Sequence, residues 1–218
     1  MKPSCLIVGA GPGIGQSVAI AFAREGYDIA LSSRSADKLR ALQPAIEKAG
    51  AVSRRYSADA GDEASLRKLF ADVRRDFGDP EVVVYNPAAQ GLGKPLALTS
   101  EKLATDFRVN VTGALICAQE AAPAMKTRSR GTILLTGGGF AHEPAANYAS
   151  LSLGKAALRN LTFTLAQELG AFGIHVATVT VYGFVQSGTH FDPARIADAY
   201  LRLHKQAPGH FQTEIVFK

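Results

Sequence analysis

Short runs, from the wholly apolar Val82–Tyr85 to the mixed Ala51–Ser57, recur along the chain, and longer stretches with helical spacing of apolar positions lie between them. The first four runs predict strands at Ser4–Val8, Asp28–Ser32, Ala51–Ser57 and Val82–Tyr85. Three more are predicted at Thr132–Thr136, Ile174–Val181 and Glu214–Phe217. The intervening periodicity predicts helices over Ile14–Glu25, Ala36–Ala49, Glu63–Phe77, about Ser100 to Thr127, about Asn147 to Leu169, and Pro193 to about His204. Gly50, Gly78 and Gly170 stand where three of these helices should end. Continuous apolar runs suit parallel strands covered on both faces. Strict alternation of strand and helix then predicts an α/β fold with a doubly wound parallel sheet of about seven strands, in three α/β/α layers. No repeat, low-complexity tract or linker divides the chain, so residues 1–218 are expected to form one domain.

Composition narrows the class. The chain has 218 residues, 47% hydrophobic and 20% charged, which suits a globular protein with a sizeable core. No apolar run approaches the ~18 residues that a membrane span needs, so no membrane partner is expected. The opening Lys and short apolar strand are not expected to act as a signal peptide, because a glycine turn arrives too early. Cys5 and Cys117 lie in apolar stretches and give no disulfide framework, which fits a reducing cytoplasm. The net charge is +5, with basic groups at Arg54-Arg55, Arg74-Arg75 and Lys126–Arg130. No continuous basic stripe with exposed aromatics is visible, so no nucleic-acid partner is expected. Attraction of an anionic cofactor or substrate remains. No metal-ligand spacing stands out.

The chemistry begins at Gly9-Ala10-Gly11-Pro12-Gly13-Ile14-Gly15, directly after the first apolar run. Glycines allow a tight turn and close approach of the backbone to a pyrophosphate. The helix that follows offers free N–H groups and a positive dipole end. Strand, glycine turn and helix together are a Rossmann-like dinucleotide-binding signature. Ligands of such sheets lie beyond the carboxyl ends of the strands. After the second strand stands Ser32-Ser33-Arg34-Ser35, with no acid to accept from a ribose 2′-OH. Ser33 and Arg34 suit a 2′-phosphate instead, which favours NADP(H) over NAD(H). Asp59, after the third strand, is placed to accept from an adenine amino group.

The spacing Gly9, Gly13, Gly15 and the segment Asn86-Pro87-Ala88-Ala89 resemble the phosphate turn and the Asn-Asn-Ala-Gly segment of the short-chain dehydrogenase/reductases. Phe107–Val111 and Leu153–Leu158 resemble the family's segments that hold its catalytic Asn and Lys, and Gly173–Val176 its sixth strand. The likeness covers nearly the whole chain. It implies hydride transfer between nicotinamide and a carbonyl or alcohol carbon. It also implies that Asn86 and Ala88 sit beside the cofactor, that Asn110 and Lys155 belong to the catalytic group, and that Val185 contacts the carboxamide. A homodimer or homotetramer is expected, because the helices of residues 100–170 resemble the family's dimer surface.

The resemblance breaks where the proton should come from. The family uses Tyr-x-x-x-Lys and an earlier Ser; here Leu151 and Gly138 hold those places. Neither carries a hydroxyl. Tyr148 is the leading stand-in. On a continuous helix it would lie about 10.5 Å along the axis from Lys155, against about 6 Å in the usual spacing. Its side chain would also lean away from Lys155. A later helix start would leave Tyr148 in a loop, free to fold back. Ser150, Ser152, Thr136, His142 and Tyr182 are further proton-bearing candidates, with His142 read as a solvent-facing lid residue. Phe184, His190 and Phe191 are expected near the pocket mouth. The stretch Pro193–Tyr200 with Leu203-His204-Lys205-Gln206 resembles the ending of a bacterial branch of the family that shares the glycine-rich segment and lacks the usual Tyr. Two readings follow. One is an NADP(H)-dependent oxidoreductase acting on a small carbonyl or alcohol. The other is a catalytically silent NADP-binding protein with a sensing or scaffolding role.

Overall fold

The computed structural model describes residues 2–218. Seven strands form one parallel sheet in the order β3-β2-β1-β4-β5-β6-β7. They are β1 (Ser4–Val8), β2 (Asp28–Ser33), β3 (Ser53–Ser57), β4 (Val82–Tyr85), β5 (Gly131–Gly138), β6 (Ile174–Val181) and β7 (Glu214–Phe217). The helices are α1 (Ile14–Arg24), α2 (Gln43–Lys48), α3 (Glu63–Phe77), α4 (Ser100–Phe107), α5 (Gly113–Arg128), α6 (Ala149–Gly170) and α7 (Pro193–His204).

Side-chain alternation divides the core in two. Ile7, Leu31, Val84, Leu134 and Val179 face one layer, which holds Phe22 of α1, Ile46 of α2 and Tyr200 of α7. Val8, Val83, Tyr85, Ile133 and Val176 face the other, with Leu66 and Phe70 of α3, Cys117 and Met125 of α5, and Leu158 and Leu169 of α6. Period-2 alternation in the strands and 3.6-residue periodicity in the helices together close both layers. The strand order reverses between β1 and β4, so a crevice opens beyond their carboxyl ends.

Several boundaries differ from the sequence expectation, each for a local reason. The predicted helix 36–49 is a 3₁₀ stretch (Ala36–Leu42) followed by the short α2. Pro44 has no N–H to continue an α ladder there. The helical region from Ser100 passes through a π turn, Arg108–Thr112, before α5. β5 runs on through Gly137 and Gly138, two residues past the Thr136 limit that the apolar run predicts. A Cβ on Gly137 would stand 2.6 Å from Thr178 Oγ1 and 2.7 Å from Thr180 Oγ1, so only glycine lets β5 lie against β6 there. α6 starts at Ala149 rather than Asn147, and Gly170 is its last residue.

Candidate active site

The glycine turn is built as its sequence demands. Gly9 has φ +78° and Gly13 φ +108°, conformations that L side chains rarely adopt. Both Gly9 N and Ala10 N donate to Ser32 O, at 2.9 and 2.8 Å. A Cβ on Gly9 would lie 2.7 Å from Pro87 N, so the turn packs directly on the segment after β4. A Cβ on Gly15 would lie 3.0 Å from Ala10 Cα, so the start of α1 packs closely on the turn. Above Gly11 and Gly13, by contrast, a Cβ would meet no heavy atom within 4 Å. Gly13 caps α1 without any side-chain hydrogen bond. Open space thus stands over unfilled helix N–H groups, which is what a pyrophosphate needs.

A cavity of about 390 Å³ lies beyond β1 to β4 and brings Gly9, Ser33, Arg34, Asp59 and Ala88 together. Ser33 Oγ donates to Ser35 O at 2.9 Å. The Arg34 guanidinium is exposed and has no hydrogen-bond or ion-pair partner among the described residues. Asp59 Oδ1 accepts from Gly61 N at 2.8 Å. The cap of α3 is Asp62 rather than Asp59. Asn86 is held at both ends of its amide. Nδ2 donates to Gly9 O at 2.9 Å, and Oδ1 accepts from Thr136 Oγ1 at 2.8 Å. Val185 is 41% exposed on the loop after β6 and does not line this cavity. A second groove, of about 260 Å³, runs past His175 and Phe211 at the amino end of β6, remote from the glycine turn.

On the other side of the crevice, Lys155 of α6 is buried and its Nζ donates to Thr136 O at 2.6 Å. Burial pushes its ammonium down to about 8. Its stem runs past Gly138, where an added Cβ would touch Lys155 Cε at 3.4 Å. Asn110 sits in the π turn, 1% exposed. Its Oδ1 accepts from Ala89 N at 2.8 Å and its Nδ2 donates to Ala89 O at 3.3 Å. Gly154 packs directly on Asn110, so the neighbour of Lys155 and the segment after β4 share one anchor.

The later start of α6 decides the geometry of Tyr148. It is the residue before the helix, at φ −125°, ψ 41°, and it forms a lone bridge with Gly93. Tyr148 thus stands just outside the helix, as the alternative of a later helix start supposed. Its ring stacks on Phe140, with centroids 5.3 Å apart. Among the described residues its hydroxyl has no hydrogen-bond partner, and only Tyr182 shares that condition. Tyr27, Tyr56, Tyr85 and Tyr200 all have theirs engaged.

The other hydroxyl candidates are committed elsewhere. Ser150 Oγ donates to Asp106 at 2.7 Å, and Asp106 also pairs with Lys102. Ser152 Oγ accepts from Ala145 N at 3.2 Å. Thr136 is shared between Asn86 and Tyr200. His142 is exposed, yet its Nε2 lies 3.1 Å from Glu214 Oε1, so it is tethered rather than a free lid. Burial alone would lift the Glu214 carboxyl. Hydrogen bonds from Arg159, Thr180 and His142 outweigh this and hold it below the ordinary range. That cluster was not foreseen. The Tyr182 ring lies under Lys218 Nζ, 4.0 Å from its centroid, and against Gly139. Phe191 packs on Gly183 and near Phe217, while Phe184 is 88% exposed.

Known proteins resemble the chain in sequence and in fold. The chain is 34% identical over 185 residues to a very-long-chain 3-oxoacyl-CoA reductase of Coccidioides immitis, a match that takes in 81% of this chain and 52% of that one. It thus spans about half the length of that relative. It is 30% identical over 191 residues to the 3-oxoacyl-[acyl-carrier-protein] reductase FabG of Staphylococcus epidermidis, covering 86% of this chain and 77% of that one. A metagenomic short-chain oxidoreductase solved in complex with NADP superposes with a TM-score of 0.90 at 26% identity, over 98% of this chain and 96% of that one. With the short chain dehydrogenase family model matching residues 4–192, the chain belongs to the short-chain dehydrogenase/reductase family.

Proposed function

We propose that this protein is an NADP(H)-dependent oxidoreductase that interconverts a small carbonyl compound and its alcohol. The observation that carries the reading is the open cradle over Gly11 and Gly13, next to a cavity in which the Arg34 guanidinium has no partner among the described residues. Gly9, Gly11, Gly13, Ile14 and Gly15 would hold the pyrophosphate, Arg34 and Ser33 a 2′-phosphate, and Asp59 the adenine. Asn86, Ala88 and Lys155 would flank the nicotinamide ribose, and Val185 the carboxamide. When bound, the dinucleotide supplies or accepts the hydride.

The chain's own groups manage the proton. Lys155 gives one N–H to Thr136 O and keeps two for a ribose. Asn110 fixes the backbone at Ala89, one wall of the crevice. Tyr148 is the proton donor, because its hydroxyl is unengaged and it lies outside the helix. A phenol of pKa about 10 needs a cation to act near neutrality, and in this reading Lys155 supplies it. The reductase names of the relatives and the NADP of the structural neighbour support this reading. Free buried Cys5 and Cys117 suit a reducing compartment such as the cytoplasm. Among the described residues no helix is long and apolar enough to cross a membrane. Assembly is proposed as a homodimer or homotetramer, testable by light scattering on a sizing column.

Leu151 and Gly138 support a second reading, a silent NADP-binding protein. One experiment separates the two. Purified protein is titrated with NADPH, then mixed with NADPH and a panel of small ketones, aldehydes and 3-oxoacyl thioesters while reduced nicotinamide is followed. Binding with turnover supports the oxidoreductase. Binding without turnover supports the silent protein, and no binding overturns both.

A further inference from the structure

Two residues of the C-terminal motif, Tyr200 and His204, stand one helical turn apart on the buried face of α7 and carry polar atoms into the core. A buried polar atom needs a partner. His204 finds Tyr27 and Thr132 at the amino ends of the strands. Tyr200 instead reaches toward the carboxyl ends, and its OH lies 2.6 Å from Thr136 Oγ1.

The direction of every proton in this chain is fixed. Gly9 O can only accept, so it takes a hydrogen from Asn86 Nδ2, which turns Asn86 Oδ1 toward Thr136. That oxygen also only accepts, so the Thr136 hydroxyl must donate to it. With its single proton committed, Thr136 Oγ1 accepts from the Tyr200 hydroxyl. A buried relay therefore runs from α7 through β5 to the glycine turn: Tyr200, Thr136, Asn86, Gly9. Chains of this kind polarise one another and set a single amide orientation. The same Thr136 holds Lys155 through its main-chain oxygen.

We propose that Tyr200 is a positioning residue for the nucleotide site, acting through Thr136 on Asn86. This rests on the reading that the chain binds a dinucleotide. Tyr200 touches neither ligand nor reacting atoms. It makes the Thr136 hydroxyl a better donor and so keeps the Asn86 amide locked against the turn that receives the pyrophosphate.

NADPH affinity, read from nicotinamide fluorescence, tests it in the wild type, Tyr200→Phe, Thr136→Val, Thr136→Ser, the double variant and Tyr27→Phe. Losing one buried hydrogen bond should weaken NADPH about threefold in Tyr200→Phe and about tenfold in Thr136→Val, where the Asn86 oxygen loses its donor. The double variant should be no weaker than Thr136→Val alone, and Thr136→Ser should bind like the wild type. Tyr27→Phe removes an equally hydrogen-bonded hydroxyl remote from the crevice. It should lower the melting temperature and leave NADPH affinity unchanged. Wild-type affinity in Tyr200→Phe, multiplied losses in the double variant, or an equal loss in Tyr27→Phe would overturn the relay. A wild type that binds neither NADPH nor NADH overturns the dinucleotide reading itself, and the relay with it.

Discussion

Lys155 Nζ donates to the main-chain oxygen of Thr136 at 2.6 Å, so the buried ammonium of α6 is tied to the same residue whose hydroxyl orients Asn86. On the proposed function, proton chemistry and nucleotide binding would meet in one residue of β5. Among the described residues Lys155 has no anionic partner, and burial leaves it at about 8 instead of 10.5.

That shift predicts an alkaline gain in stability. Below pH 8 the folded state carries a buried charge. Between about 8 and 10.5 the unfolded chain keeps the proton that the folded chain has released, so stability rises with pH. The full difference is roughly 3 kcal/mol. Relative to Lys155→Met, the cofactor-free wild type should gain stability from pH 7.5 to 9.5 in urea titrations. A constant gap between the two proteins would show that Lys155 is not desolvated.

Two histidines predict the opposite edge. Burial lowers both His175 and His204 from 6.5. Below about pH 6.5 the unfolded chain takes up protons that these rings refuse, so stability is lost as pH falls further. His204→Gln should be less stable at pH 7, having lost its bonds to Tyr27 and Thr132, yet should lose less on going to pH 5. Thermal melts at the two pH values check this.

Arg34 predicts cofactor choice. NADPH should bind more tightly than NADH, and Arg34→Ala should remove about tenfold of that preference while leaving NADH nearly unaffected. Raising the salt should narrow the gap in the wild type, because the group is exposed. Equal affinities in the unaltered protein would dismiss this role.

Tyr148 predicts a clean loss. Tyr148→Phe should abolish turnover of any ketone that the wild type reduces and leave NADPH binding intact. Retained turnover would hand the proton to another group, with Tyr182 next, since its hydroxyl is also unengaged. Gly138→Ser should be tolerated, because the new Cβ meets the Lys155 stem at an ordinary 3.4 Å. Its melting temperature should stay within a few degrees of the wild type's.

The strands and the glycine turn were legible because burial on both faces and a forced backbone leave marks in residue type. Ile7, Val84 and Gly9 could hardly be other residues. The limits of β5 were less legible, since three successive glycines read as a loop until Thr178 and Thr180 are seen to fill the space beside Gly137. The start of α6 lies two residues later than the periodicity suggests, which decides between the two placements of Tyr148 that the sequence leaves open. Pro44 did carry a visible signal that the helix after β2 would not run evenly. Tyr200 was visible only as part of a motif. A phenol on the apolar face of an amphipathic helix announces a buried partner but does not name it, and Thr136 lies 64 residues away.

The π turn at Arg108–Thr112 sets one further condition on this chain. A π turn is an α-helix holding one residue more than its ladder needs. Deleting a single residue there would let α4 run smoothly into α5 and would make a more regular rod. The same deletion would take one residue out of the turn that carries Asn110, whose amide holds both the N–H and the C=O of Ala89. Regularity and function are therefore in competition at this point of the backbone, and any insertion or deletion between Phe107 and Gly113 is a choice between them.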